Sequence, residues 1–394
     1  MPVPSLQLRR VRASSPTGRR RIAMVAVMAT ALAVGGTLSA SSAQAGGSGD
    51  AVRKGLNRLV ADDKYPAALA AVAGRDGRTR NYTAGVADLR TGAKVPVDGQ
   101  VRAGSNTKAF TATVVLQLVG EGKVGLDAPI EKYLPDLVRG EGIDGHDITV
   151  RQLLQHTSGL PNYTDFLGDP AEERHTYLQP RTLIDMALAH KALFAPGTDW
   201  SYSNTNTVLA GLLIEKVTGR PLAEQITQRI IVPAGLRKTY FPGVGEQGIR
   251  KAHPKGYSPV KPGGPLEDFT EMDPSWAWAA GQIVSTPGDL NRFFTALIGG
   301  ELLKPAQLDQ MRTTVEIPDH FGAAGTRFGL GVTSTPLSCG GLRWGHGGDL
   351  PGYTTRPGVT EDGRAATIAA TTDRSPSPQG RENIDALLDT ALCG

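Results

Sequence analysis

Ser105 and Lys108 lie three residues apart in Ser105-Asn106-Thr107-Lys108. On a helix that spacing puts both side chains on one face, so the lysine can touch the hydroxyl. A lysine held among apolar residues has a lowered pKa and can act as a base, or lower the barrier for another base. The chain holds a second Ser-x-x-Lys, Ser258-Pro259-Val260-Lys261, but its prolines prevent a helix there. Tyr202-Ser203-Asn204 is the only Tyr-x-Asn in the sequence. A tyrosine beside a lysine can be partly ionised and take a serine proton, and an asparagine can orient the lysine or a substrate carbonyl. His346-Gly347-Gly348-Asp349 supplies glycines that let a substrate lie close along a strand edge. A backbone N–H of that edge, with the N–H of a serine opening a helix, would make an oxyanion hole. Taken singly, each fragment also fits a structural role: a tyrosine over a helix end, a core histidine beside a turn.

The elements around these residues are legible. Val52–Asp62 reads as a helix after a Gly46-Gly47-Ser48-Gly49 tether. Ala67–Ala73 and Arg78–Val86 flank Arg75-Asp76-Gly77, a hairpin signal. Lys108–Val119 is apolar nearly all round, which suits a buried helix. Leu183–Ala189 and Thr207–Thr218 read as helices, the second closed by Gly219. Gly243–Pro274 reads as an extended loop. Thr286, Pro287 and Asp289 form a helix start. Strands return at Leu342–Gly347, Gly352–Val359 and Arg364–Thr371. The expected fold is α+β: an antiparallel sheet built from both ends of the chain, flanked by helices, with an inserted all-helical subdomain. One lobe takes about 46–105 and 275–394, the mainly helical lobe about 106–274, and the cleft between them is the default place for chemistry.

The chain has 394 residues, 49 of them Gly and 27 Pro, with 40% hydrophobic and 20% charged residues. That excludes a disordered chain and a many-span membrane protein. The formal charge of +4 comes from the front: residues 1–45 carry six arginines and no Asp, Glu or Lys, leaving −2 for the rest. No nucleic-acid partner is expected from such a balance. Residues 1–45 also hold a short apolar run, Ile22–Val34, and close on Ala43-Gln44-Ala45, which predicts a signal peptide cleaved near Ala45 and a secreted protein. An exported chain can keep its two cysteines, Cys339 and Cys393, as a disulfide. Ile384, Leu387, Leu388, Ala391 and Leu392 form the stripe of a terminal helix that this bridge would pin.

The order Ser-x-x-Lys, Tyr-x-Asn, His-x-Gly, at separations of roughly 95 and roughly 140 residues, is more specific than any part. With Leu153–Leu160, Ser201–Asn206, Ala280-Gly281 and Leu337–Gly340, it resembles the penicillin-recognising serine hydrolases, the group of class C β-lactamases and Streptomyces D-alanyl-D-alanine carboxypeptidases. The resemblance implies Ser105 as the acylated nucleophile, with Lys108 and Tyr202 as the proton-transfer pair. It implies that Asn204, His346 and Gly348 line the cleft, that Trp276 walls the substrate pocket, and that the N–H groups of Ser105 and Asp349 bind the oxyanion. His156 is expected to be structural. No metal or cofactor is called for, β-lactams are expected inhibitors, and a monomer is expected. The sequence departs from the carboxypeptidases in placing Asp349 after the glycine, and Val332-Thr333-Ser334 where they carry a substrate-binding arginine. An unpaired aspartate there would repel a free carboxylate, by about 1 kcal/mol in water and several at a half-buried site. Arg343 or Arg356 could supply the missing cation. The expected activity is that of a D-stereospecific peptidase or amidohydrolase passing an acyl group to water or an amine. A strict D-alanyl-D-alanine carboxypeptidase, a β-lactamase, an esterase and a penicillin-sensing module are the alternatives.

Overall fold

The computed structural model describes residues 43–261, 263–373 and 377–394. Most of the expected signal peptide therefore lies outside the described residues. Its ten-stranded antiparallel sheet takes β1 (Ala67–Ala73), β2 (Thr79–Asp88) and β3 (Ala93–Lys94) from the front of the chain. From the back come β4 (Val315–Glu316), β5 (Arg327–Phe328), β6 (Thr333–Pro336), β7 (Leu342–Gly345), β8 (Gly348–Leu350), β9 (Tyr353–Thr360) and β10 (Ala365–Ala370). The strand order is β4-β5-β6-β7-β9-β10-β1-β2-β3, with β8 also paired to β9. The front and back strands meet where β10 pairs with β1, with Ala70 opposite Ile368.

The central strands, AALAAVA and AATIAA, alternate between two cores. Ala68, Ala70, Ala366, Ile368 and Ala370 face α1 (Ala43–Ala61) and the terminal helix α5 (Gly380–Cys393). Ala67, Leu69 and Ala369 face the other way. Period-two alternation is what a sheet covered on both faces requires. Helix α1 crosses α5 at Gly55, where a Cβ would stand 2.3 Å from a Leu387 methyl. The helix runs through Gly46–Gly49 instead of leaving a tether there. Packing explains part of this: a Cβ on Gly49 would lie 2.9 Å from the Tyr82 hydroxyl. Cys339 and Cys393 form a disulfide that ties the end of α5 to the turn before β7.

The buried helix α2 (Thr107–Gly120) carries eleven buried residues out of fourteen. It packs against α3 (Asn204–Thr218) in the helical region, and α4 (Pro287–Ile298) lies on the sheet. Thr286 caps α4 through the Asp289 N–H. The Gly243–Pro274 segment is not loop throughout, since Tyr257–Pro259 and Leu266–Asp268 pair as a short hairpin. The strand predicted over Leu342–Gly347 breaks after Gly345, yet its register with β9 continues unchanged into β8. In that register His346 faces Pro357, which has no N–H to donate, so the ladder is interrupted at that pair.

Candidate active site

Ser105 sits in a single 3-10 turn, Gly104–Asn106, that leads directly into α2. The turn is held from three directions. Thr107 Oγ1 donates to Gly104 O at 2.8 Å and accepts from Ile283 N at 3.1 Å. Asn106 Nδ2 donates to Ala103 O and to Thr355 Oγ1, both at 2.7 Å. Gly104 has φ +55°, and a Cβ there would stand 2.9 Å from the Asp349 nitrogen. Glycine is required because the turn and β8 touch backbone to backbone.

One turn on, Lys108 is 1% exposed. Its Nζ reaches Ser105 Oγ at 3.0 Å, Asn204 Oδ1 at 2.6 Å and Ala280 O at 2.8 Å. No carboxylate is among these partners, and burial drives the lysine pKa well below its ordinary value. Two carbonyl-type acceptors match the two N–H groups of a neutral amine, leaving its lone pair for the serine hydroxyl. Trp278, with φ +29°, opens the short helix that presents Ala280, its ring lying over Gly211 of α3.

Tyr202 hydrogen-bonds Ser105 through its side chain, and Lys108 Nζ lies 4.9 Å from its ring centre. Burial pushes the Tyr202 phenol above its ordinary value, outweighing the Ser105 bond that lowers it. The expectation of a partly ionised tyrosine is therefore corrected: the site holds it as a phenol, because desolvation penalises the phenolate. His156 packs 4.5 Å from the Tyr202 ring. Its Nδ1 accepts from Asn206 Nδ2 at 3.1 Å and from Ser203 N at 3.3 Å. His156 is thus a buried support beneath Tyr202. His346 is buried beside Tyr202 and Phe328, its Nδ1 2.6 Å from Gly347 O, and burial lowers its pKa to about 3.

Register places the Asp349 N–H, the group expected to bind an oxyanion. Pro351-Gly352 turns β8 into β9 with Leu350 opposite Tyr353, so Asp349 and Thr354 form the next, non-hydrogen-bonded pair. The Asp349 N–H points out of the ladder, toward the turn that carries Ser105. Gly348 permits this approach, since a Cβ there would meet Ala103 O at 1.9 Å. Trp276 ends a short turn begun by Asp273, and its carbonyl accepts from Tyr163 OH at 2.6 Å. With Leu167, Leu178, Phe269, Met272 and Pro351 it lines a largely apolar pocket beside the end of β8.

The Asp349 side chain is not the unpaired anion expected from the sequence. Arg356 Nη1 and Nη2 grip its two oxygens at 3.0 Å each, and Arg381 Nη2 adds a contact at 2.7 Å. Burial pushes the carboxyl up, but the two guanidinium groups outweigh it and hold Asp349 below its ordinary value. Arg343 is committed to Asp385 at 2.9 Å.

The sequence pattern of the family described as Beta-lactamase matches residues 52–392. The chain belongs to the beta-lactamase family. It is a serine hydrolase of the β-lactamase fold, and solved structures of that family superpose on nearly all of it. A D-stereospecific amidohydrolase from Streptomyces sp. is 40% identical, with a TM-score of 0.78 over 86% of this chain and 97% of that one. The D-amino acid amidase from Ochrobactrum anthropi SV3, complexed with L-phenylalanine amide, is 27% identical, with a TM-score of 0.78 over 88% and 97% of the two chains. A putative penicillin-binding protein of Bacillus subtilis (strain 168) is 28% identical over 71% of this chain, and the match spans 64% of that protein's length. An esterase of Burkholderia gladioli is 36% identical over 40% of this chain and 42% of its own.

Two residues of this hydrolase's site escaped the sequence reading, as did the partner of a third, Arg356. Asn162 Oδ1 accepts from Asn204 N at 3.0 Å and Asn204 Nδ2 at 3.1 Å, so it caps α3 from outside and fixes which end of the Asn204 amide faces Lys108. Nothing in its Pro-Asn loop signals this. Asn106 had a signal, a polar residue between Ser105 and a buried helix. Arg356 had a stronger one: every residue of β9 is buried, and an arginine there demands a partner.

Proposed function

We propose that the protein is a secreted D-stereospecific amidohydrolase or peptidase that works through an acyl-enzyme on Ser105. Neutral Lys108 takes the Ser105 proton as Oγ attacks the substrate carbonyl carbon. The N–H groups of Ser105 and Asp349 receive the negative charge that develops on the carbonyl oxygen. The C–N bond then breaks, and Tyr202 gives its phenol proton to the departing nitrogen. Lys108 returns the serine's proton to Tyr202, restoring both groups. Water, or an amine, next attacks the ester and gives up a proton to the same pair, and that proton goes back to Ser105 Oγ as the acyl group leaves.

The observation that carries the reaction class is the Lys108 amine, buried without a carboxylate and 3.0 Å from Ser105 Oγ. The preference for D-residues rests on likeness to the D-stereospecific amidohydrolase that this chain covers over 97% of its length. The apolar pocket walled by Trp276 suits a bulky side chain on the acyl residue. Export rests on the sequence of residues 1–45 and is checked by amino-terminal sequencing of protein recovered from culture medium. The test of the activity is a panel of D- and L-phenylalanine amide, their methyl esters, and a chromogenic cephalosporin. Turnover of the D-amide with little of the L-amide is expected. Turnover of esters with neither amide would replace this reading with an esterase, and rapid cephalosporin turnover alone with a β-lactamase.

A further inference from the structure

The face of the β8–β9 hairpin that carries the Asp349 side chain holds a closed set of charges. Thr354 lies opposite Asp349, and Arg356 is two residues further along the same strand face. Arg356 can lie flat there because residue 347 is glycine: a Cβ at that position would be 3.2 Å from Arg356 Nη1. Both terminal nitrogens are engaged. Nη1 donates to Asp349 Oδ1 and Thr354 Oγ1 at 3.0 Å and to Thr355 O at 2.9 Å, and Nη2 donates to Asp349 Oδ2 at 3.0 Å. The Arg356 side chain is 9% exposed, and its Nε faces Asp385 Oδ2 at 4.0 Å. Thr354 Oγ1 donates to Asp349 Oδ1 at 2.5 Å, and Arg381, 63% exposed, closes over Oδ2. This set lies beside the reacting atoms. The Asp349 backbone borders the Ser105 turn, where a Cβ on Gly104 would be 2.9 Å from its nitrogen, and the charge of Asp349 raises the Tyr202 phenol's pKa while that of Arg356 lowers it. Since Tyr202 serves the departing nitrogen, the set borders the leaving-group side of the cleft.

A bidentate grip on two carboxylate oxygens is how an arginine would hold the free carboxylate of a peptide end. We infer that Asp349 is a built-in occupant of Arg356: its carboxylate fills the seat that a substrate's free C-terminal carboxylate would need, so the cleft selects amides and esters over free acids. The inference rests on the proposed D-amidohydrolase activity. It replaces simple repulsion by Asp349, because the charge of Asp349 is balanced and what is withheld is the arginine. A free acid must either displace Asp349, leaving a buried carboxylate without its partner, or bind with its own carboxylate unpaired. An amide or ester carries no such requirement.

The test uses D-phenylalanyl-D-alanine and D-phenylalanyl-D-alanine amide, two substrates that share the Phe–Ala peptide bond, and reads release of alanine or alaninamide from that bond. In the wild type, kcat/KM for the free acid should be at least about 10-fold below that for the amide. Asp349→Asn should raise the free-acid-to-amide ratio about 10-fold, and adding Arg356→Gln should cancel that rise. Arg381→Gln, which leaves the Asp349–Arg356 pair in place, should move the ratio less than about threefold. A wild type that cleaves the free acid as well as the amide overturns the inference without any variant, so a poorly folded Asp349→Asn cannot rescue it. A ratio unmoved in Asp349→Asn, or a rise that survives loss of Arg356, also overturns it, while cleavage of the amide leaves the proposed activity standing. Failure of the wild type to cleave either dipeptide while it turns over D-phenylalanine amide overturns the inference alone, and failure on all three overturns both.

Discussion

The proton chemistry of this site turns on two residues whose pKa values burial moves in helpful directions. Desolvation lowers Lys108 and raises Tyr202, so each favours its neutral form. A neutral amine beside a neutral phenol makes a base and an acid without a buried net charge. Their roles differ in a measurable way. An amide nitrogen must be protonated as it leaves, whereas an activated phenolate leaving group need not be. Tyr202→Phe should therefore lower kcat/KM for a D-amide by about 10²- to 10⁴-fold and for a nitrophenyl ester of the same D-residue far less. Equal losses on both substrates would assign Tyr202 to the serine proton instead. Ser105, Lys108, Tyr202 and His346 were legible as residues because their types are rare in combination and their order is distinctive. The protonation of Tyr202 was not, because it depends on surroundings that a short motif does not describe.

At the scale of elements, the site is made by two backbones in contact, the turn at Gly104–Asn106 and the strand at Gly348–Leu350. A methyl group on Gly348 would strike Ala103 O and crowd Asn106 Nδ2, at 1.9 and 2.6 Å. Gly348→Ala must push the turn away, and about 1 Å of displacement at a reacting centre can cost 10²-fold. The variant should lose about 10²-fold or more in kcat/KM while losing only about 1–3 kcal/mol of stability by urea titration. Unchanged kcat/KM would mean that this contact does not position Ser105. The hairpin at 67–88, the buried helix α2 and the capped start of α4 could be read from the sequence because each has a local signal. The short strands β4, β5 and β6 could not, since two to four residues carry too little alternation to register. Asp349 was misjudged for a related reason: its partners lie seven residues away across a hairpin and 32 away on α5. Only the register of β8 against β9, and of α5 against both, brings them together.

Over the whole molecule, the helices α1 and α5 pack on the same sheet face, and the Cys339–Cys393 bridge closes a separation of 54 residues. On the loop-entropy account such a link restricts the unfolded chain by roughly 4 kcal/mol. Cys339→Ser with Cys393→Ser should lower the melting temperature by several degrees or more, with little change in kcat/KM, because the bridge is on the sheet face opposite the cleft helices. An unchanged melting temperature would mean that α5 docks without it. The buried histidines contribute to the acid side of stability. His346 is held neutral in the fold with a pKa of about 3, against about 6.5 when unfolded. Between those values the unfolded chain binds a proton that the folded chain does not. The contribution of His346 is therefore full above about pH 6.5 and falls as pH drops, by up to about 1.4 kcal/mol per unit, until about pH 3. His156 is shifted in the same direction. His346→Gln should flatten the fall in urea midpoint between pH 7 and pH 4.5, and a variant with the wild-type slope would show that other groups govern it.

The central claim is an acyl-enzyme formed on Ser105 from a D-residue. It is tested most directly by mixing the protein with D-phenylalanine methyl ester, quenching in acid within the first turnovers, and mapping the digest by mass spectrometry. The expected result is one phenylalanyl group on the peptide that carries Ser105, absent from Ser105→Ala and far weaker with the L-ester. An adduct on another residue, ester turnover retained by Ser105→Ala, or equal labelling by both enantiomers would contradict it.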